Sequence, residues 1–130
     1  MIVLDASAAI EWLLRGDDVQ AIERQILAPG VVANAPHLLD AEVAHVLRRY
    51  VAVGEIEASR AETALTDLVN FRMYRHAHDF LLPRVWALRH NMTAYDAIYV
   101  ALAEMLDAPL LTRDRKLAAA AERYIRVAVV

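Results

Sequence analysis

Cysteine is absent from this 130-residue chain, which excludes disulfides, thiolate zinc sites and a thiol nucleophile together. Also missing is any apolar run of the ~18 residues that a membrane helix needs; charges such as Glu104 and Asp107 interrupt the later apolar stretches. Met1 leads straight into Ile-Val-Leu-Asp with neither a basic leader nor a long apolar one, so the expectation is a soluble, cytoplasmic protein. Positive charge is in short supply: 14 basic against 17 acidic residues leave a net charge of -3. That balance argues against a protein that coats nucleic acid by charge alone. It leaves room for one that cuts it, with a negative metal pocket and a local basic rim. No linker, repeat or low-complexity segment divides the chain, and its length suits one domain over residues 1–130.

What is present alternates between short apolar runs and longer helical periods. Ile2 to Leu4 reads as a buried strand, Ala6 to Arg15 as a helix, and Asp17 to Ala28 as a second helix closed by Pro29-Gly30. Val31 to Asn34 reads as a strand, and Pro36 opens a long helix to about Val53, ended by Gly54. A helix over Glu55 to Asn70, a weak strand over Phe71 to His76 and a helix over Asp79 to His90 follow. Thr93 to Leu106 is a helix, Pro109 to Thr112 a strand, Arg115 to Arg123 a helix and Ile125 to Val130 a final strand. Such alternation predicts an α/β fold: a three-layer α/β/α sandwich around a mostly parallel five-stranded sheet. Ligands in such folds sit beyond the carboxyl ends of the strands, where the winding direction reverses.

Acidic residues stand at those places. Asp5 follows the first strand, Asp114 follows the strand ending at Thr112, Asp96 lies in the first turn of its helix and Glu42 lies early in the long helix. Each has a plain structural reading: Asp5 and Asp114 as helix N-caps, Thr93-x-x-Asp96 as a capping box, Glu42 as a solvated helix residue. The joint pattern reads differently. Leu38, Leu39, Val43, Val46 and Tyr50 put Glu42 at the edge of a buried stripe, and Tyr95, Ala97, Ile98 and Val100 flank Asp96. Two carboxylates ~5 Å apart repel by roughly 3 kcal/mol at an effective dielectric of 20. Four together need protons or a cation, and an all-oxygen set favours magnesium or manganese.

Four segments carry a family resemblance: Ile-Val-Leu-Asp-Ala-Ser-Ala, Leu-Leu-Asp-Ala-Glu-Val-Ala-His-Val-Leu-Arg-Arg, Thr-Ala-Tyr-Asp-Ala-Ile-Tyr-Val-Ala-Leu-Ala-Glu and Leu-Leu-Thr-Arg-Asp. In this order they resemble the successive motifs of PIN-domain ribonucleases, VapC-type toxins above all. The resemblance implies that Asp5, Glu42, Asp96 and Asp114 form an acidic quartet holding Mg2+ or Mn2+, with Ser7 and Thr112 as supporting hydroxyls. It implies RNA hydrolysis by an activated water, leaving a 5′-phosphate and a 3′-hydroxyl. It also implies a homodimer that pairs with an antitoxin and meets DNA only through that partner.

Basic residues supply candidate RNA contacts: Arg49 on the helix of Glu42, and Arg113, Arg115 and Lys116 around Asp114. His76 and His78 could share a strand face as a zinc pair, without a third spaced ligand. His45 is one turn beyond Glu42, and Trp12 with Leu13 and Tyr50 offers either core packing or a partner groove. Three rival readings remain. A phosphatase with an aspartate nucleophile wants a second acid where Ser7 stands. A phospho-acceptor receiver wants a lysine near the last strand, whereas Lys116 sits in a helix directly after Asp114. A non-catalytic interaction module would use every acid as a cap.

Overall fold

The apolar runs become five strands and the 3.6-periodic segments become helices in a computed structural model that describes residues 1–130. In chain order these are β1 (Ile2–Leu4), α1 (Ala6–Leu13), α2 (Val19–Ile26), β2 (Ala33–Pro36), α3 (Leu38–Ala52), α4 (Ala58–Asn70) and β3 (Met73–His76). A 3-10 turn (Asp79–Leu81) follows, then α5 (Leu82–Ala87), α6 (Ala94–Leu106), β4 (Leu110–Thr112), α7 (Arg115–Ala121) and β5 (Val127–Val129). The sheet runs β3-β2-β1-β4-β5 and every pairing is parallel, so the mostly parallel sheet expected from the sequence is wholly parallel. Leu4 lies opposite Leu111, which brings Asp5 level with Thr112 at the carboxyl edge.

Strand β1 is central, and the winding reverses there: the chain moves out through β2 to β3, then crosses back to β4. Right-handed crossovers in opposite directions put α1–α4 on one face and α5–α7 on the other. Strands covered on both faces need apolar residues in succession, and Ile2, Val3, Leu4, Leu110 and Leu111 are all buried. Helix α6 crosses β2, β1 and β4, with Ala97 to Ala103 buried without a break. No helix is long and apolar enough to cross a membrane.

Two expected elements differ. Pro36 closes β2 instead of opening α3, because a proline holds the residue before it extended, and Ala35 pairs with Arg75 in the sheet. The single helix expected over Asp79 to His90 divides into the 3-10 turn and α5. Pro83 falls in the first turn of α5, where a missing N–H costs nothing.

Candidate active site

Asp5 leaves β1 in extended conformation, and its Oδ1 accepts the Ala8 amide at 3.0 Å, so it does cap α1. It is also almost wholly buried, at 4% exposure. The Ser7 hydroxyl donates to Oδ1 at 2.7 Å and the Thr112 hydroxyl donates to Oδ2. These hydroxyls in turn accept amides of the loop after β4: Arg113 N–H to Ser7 Oγ and Asp114 N–H to Thr112 Oγ1, both at 2.9 Å. Ser7 and Thr112 thus stitch the ends of β1 and β4 around one carboxylate. Asp114 caps α7, its Oδ1 accepting the amides of Lys116 and Leu117.

Asp96 answers the capping-box question. The Thr93 hydroxyl accepts the Asp96 amide at 3.2 Å, yet no donor in the protein reaches the Asp96 carboxylate. Half of the box is made, and the half that would employ the acid is not. Glu42, half-buried on α3, accepts the Tyr99 hydroxyl at 2.6 Å.

Electrostatics tie the four acids together. Burial raises the Asp5 pKa above its usual 3.8, against its hydrogen bonds, and the charge of Asp114 adds to the rise. Burial also raises Glu42, with Asp5 and Asp96 pushing the same way, while the Tyr99 hydrogen bond opposes them. Asp96 is raised by burial and then by Asp114, with Lys116 partly offsetting. Asp5, Glu42 and Asp96 therefore each feel the charge of at least one other acid of the quartet at the switch point. No three of them converge closely enough to share one cation directly. That spacing suits magnesium, which keeps several of its waters and often uses only one or two carboxylates.

A pH dependence follows for the metal-free protein. Three acids have folded pKa values above the ordinary 3.8–4.5. Between the ordinary and raised values the folded chain holds protons that the unfolded chain has lost, so stability falls as pH rises through that window. Burial lowers the His76 pKa, which works the other way; in a His76→Gln background, melting temperatures in EDTA are expected to climb on acidification from neutrality, before other carboxylates protonate. A steady fall over that range would contradict the raised values.

The basic candidates separate. Lys116 lies close enough to Asp96 to influence its ionisation, and Arg115 is exposed on the same turn. Arg113 is engaged elsewhere, its guanidinium paired with Glu11 at 3.1 Å and Asp18 at 2.7 Å. Arg49 lies over the Tyr50 ring at 5.8 Å, two turns from Glu42, about 10 Å along the helix. His76 Nε2 meets Asn34 Oδ1 at 2.8 Å, while His78 Nε2 accepts the Leu38 amide at 3.0 Å, so the pair serves the sheet and the start of α3 separately. The sequence reading did not include Tyr99; its signal is a lone phenol within the apolar run from Ala97 to Ala103. Glu11 was missed too, and it receives the Asp18 amide as well as Arg113.

Comparison with known proteins agrees with this fold. The family model described as "PIN domain" matches residues 2–123. Ribonuclease VapC1 of Mycobacterium tuberculosis is 49% identical over 119 residues, spanning 91% of this chain and 89% of that protein. Among solved structures, VapBC2 from Rickettsia felis, bound to a DNA fragment from its promoter, has TM-score 0.71 at 13% identity, covering 100% of this chain and 99% of that one. Mycobacterium tuberculosis VapC20, described as a sarcin-ricin loop cleaving toxin, has TM-score 0.69 at 17% identity, covering 92% and 95%.

Proposed function

Because the chain belongs to the PIN-domain family and, within it, to the VapC ribonucleases, we propose that it hydrolyses RNA using magnesium or manganese held by Asp5, Glu42, Asp96 and Asp114. The observation that carries this reading is the acidic cluster itself. Four carboxylates from four parts of the chain lie around the switch point; burial raises the pKa of three of them, Asp5, Glu42 and Asp96, and Asp96 has no donor in the protein. Fold stability alone does not call for such crowding, and an all-oxygen donor set suits a hard dication. When bound, the ion supplies charge to the scissile phosphate, acidifies a water and stabilises the departing 3′ oxygen.

The chain's own residues perform the rest. Ser7 and Thr112 hold Asp5 in one orientation through both of its oxygens. Lys116 and Arg115 put positive charge at the rim, where backbone phosphates can be held without reading base sequence. No side-chain nucleophile is required, and the products are a 5′-phosphate and a 3′-hydroxyl. The strand order also departs from the 2-1-3-4-5 order of flavodoxin-like receiver domains, which removes the support for that rival.

The proposal extends to a cytoplasmic toxin, acting as a homodimer and restrained by an antitoxin through which alone it meets DNA. A depression of about 300 Å³ beside α1 and α4 supports a partner surface: Trp12 and Phe71 pack there with centroids 4.5 Å apart and rings tilted by 57°, next to Leu13, with Arg15, Asp67 and Asn70 completing the lining. Phe71 takes the place beside Trp12 that the sequence reading gave to Tyr50. The test is cleavage of a labelled single-stranded RNA. Cleavage is expected with magnesium or manganese, lost in excess EDTA and restored by added metal. Cleavage that persists in EDTA, or none with either metal, defeats the reading.

A further inference from the structure

We propose that Tyr99 is a positioning residue for the ribonuclease suggested above, its hydroxyl fixing Glu42 so that one carboxylate oxygen stays available to the acidic cluster. The inference rests on that metal-dependent reading and adds a residue to it. Tyr99 sits on α6 one turn beyond Asp96, and its side chain is buried at 3% exposure. Its neighbours in sequence, from Ala97 to Ala103, are otherwise aliphatic. A phenol buried in such a run needs a partner for its O–H, and the partner lies 57 residues away on α3: Glu42 Oε1, at 2.6 Å.

The consequence for Glu42 is geometric. A half-exposed glutamate has three free torsions, and fixing it costs conformational entropy. Tyr99 pins Oε1, while no protein group donates to Oε2. One oxygen is therefore anchored and the other left for a ligand. Helix α6 carries both Asp96 and this anchor, so a single rigid element places one acid of the cluster directly and a second through a hydrogen bond. A charge-assisted bond of this length is among the stronger ones available to a carboxylate.

The experiment compares wild type, Tyr99→Phe, Glu42→Ala and the double variant. Manganese titration followed by electron paramagnetic resonance should show roughly tenfold weaker binding for Tyr99→Phe, the usual scale for losing a residue that orients a ligand. Metal-free urea melts supply a readout independent of activity. Tyr99→Phe should destabilise wild type but not the Glu42→Ala background, where the hydroxyl has already lost its acceptor. Normal manganese affinity in Tyr99→Phe would overturn the proposal. So would equal destabilisation in both backgrounds, which would mean that the hydroxyl acts through something other than Glu42. A wild type that binds no manganese would overturn the metal reading as well, and that arm shows it before Tyr99 is altered.

Discussion

An Asp5→Asn variant is expected to cleave RNA about a thousandfold more slowly while folding almost as well as wild type. The loss follows from where Asp5 sits. It ends the central strand, is nearly inaccessible, and both of its oxygens are oriented by hydroxyls. Asparagine keeps the size of the side chain and one carbonyl oxygen for the Ala8 amide, and it caps helices about as well as aspartate. The network can adapt around the new NH2 group: Thr112 Oγ1 can accept from it and turn its own proton toward Ser7 Oγ, 3.3 Å away. The cost to stability should stay near 1 kcal/mol or less. What disappears is one full negative charge facing the ion. A metal ion contributes several kcal/mol to charge stabilisation in such reactions, and losing about 4 kcal/mol is a thousandfold in rate. Calorimetric magnesium titration, RNA cleavage and thermal melts on the same preparations decide it. Normal activity in a folded Asp5→Asn protein would remove Asp5 from the chemistry.

Asp96→Asn should have a comparable effect on activity and an opposite effect on the metal-free fold. The Asp96 amide keeps its bond to Thr93, and the carboxylate has no hydrogen bond to lose. A negative charge in the first turn of a helix is worth about 0.3–1 kcal/mol through the dipole. Against that stand burial and the field of Asp114, which raise the Asp96 pKa and so disfavour its charged form overall. Metal-free Asp96→Asn should therefore melt at or slightly above wild type, by roughly 0.5 kcal/mol for half-exposed charges. Magnesium should then stabilise wild type and leave the variant unmoved, with cleavage down about a thousandfold by the same charge argument. Urea melts with and without magnesium give both signs. A variant that melts lower without metal and still cleaves RNA would make Asp96 a helix-capping residue and nothing more.

The architecture was legible because strands buried on both faces must be apolar throughout. Ile2 to Leu4 and Leu110 to Leu111 announce themselves, and the acids that follow them stand out against that background. Strand β2 was harder: Ala-Asn-Ala-Pro carries no β-branched residue, and its burial comes entirely from its position between β1 and β3. Local propensity points instead to Val31 and Val32, which lie just before the strand. Partnerships across the fold were hidden for a different reason. Arg113 neighbours Asp114 in sequence, yet its guanidinium is captured by Glu11 and Asp18, about a hundred residues earlier. Charge pairing over that separation leaves no periodic trace. Tyr99 and Glu42 escaped notice in the same way, each ordinary on its own helix.

The hydroxyl clasp between Thr112 and Asp5 spans 107 residues, and that span has a meaning during synthesis. Strand β1 is made more than a hundred residues before its neighbour β4. At ~5–20 residues per second a ribosome needs about 5–20 s to supply the missing strand. Until then the edge of β1 that β4 will cover has no partner, and Asp114, the last acid of the cluster, does not yet exist. A nascent chain, or one cut short by early termination, therefore carries no complete site at any length below residue 114. A cell making this protein meets the assembled cluster only once translation of each copy has passed residue 114.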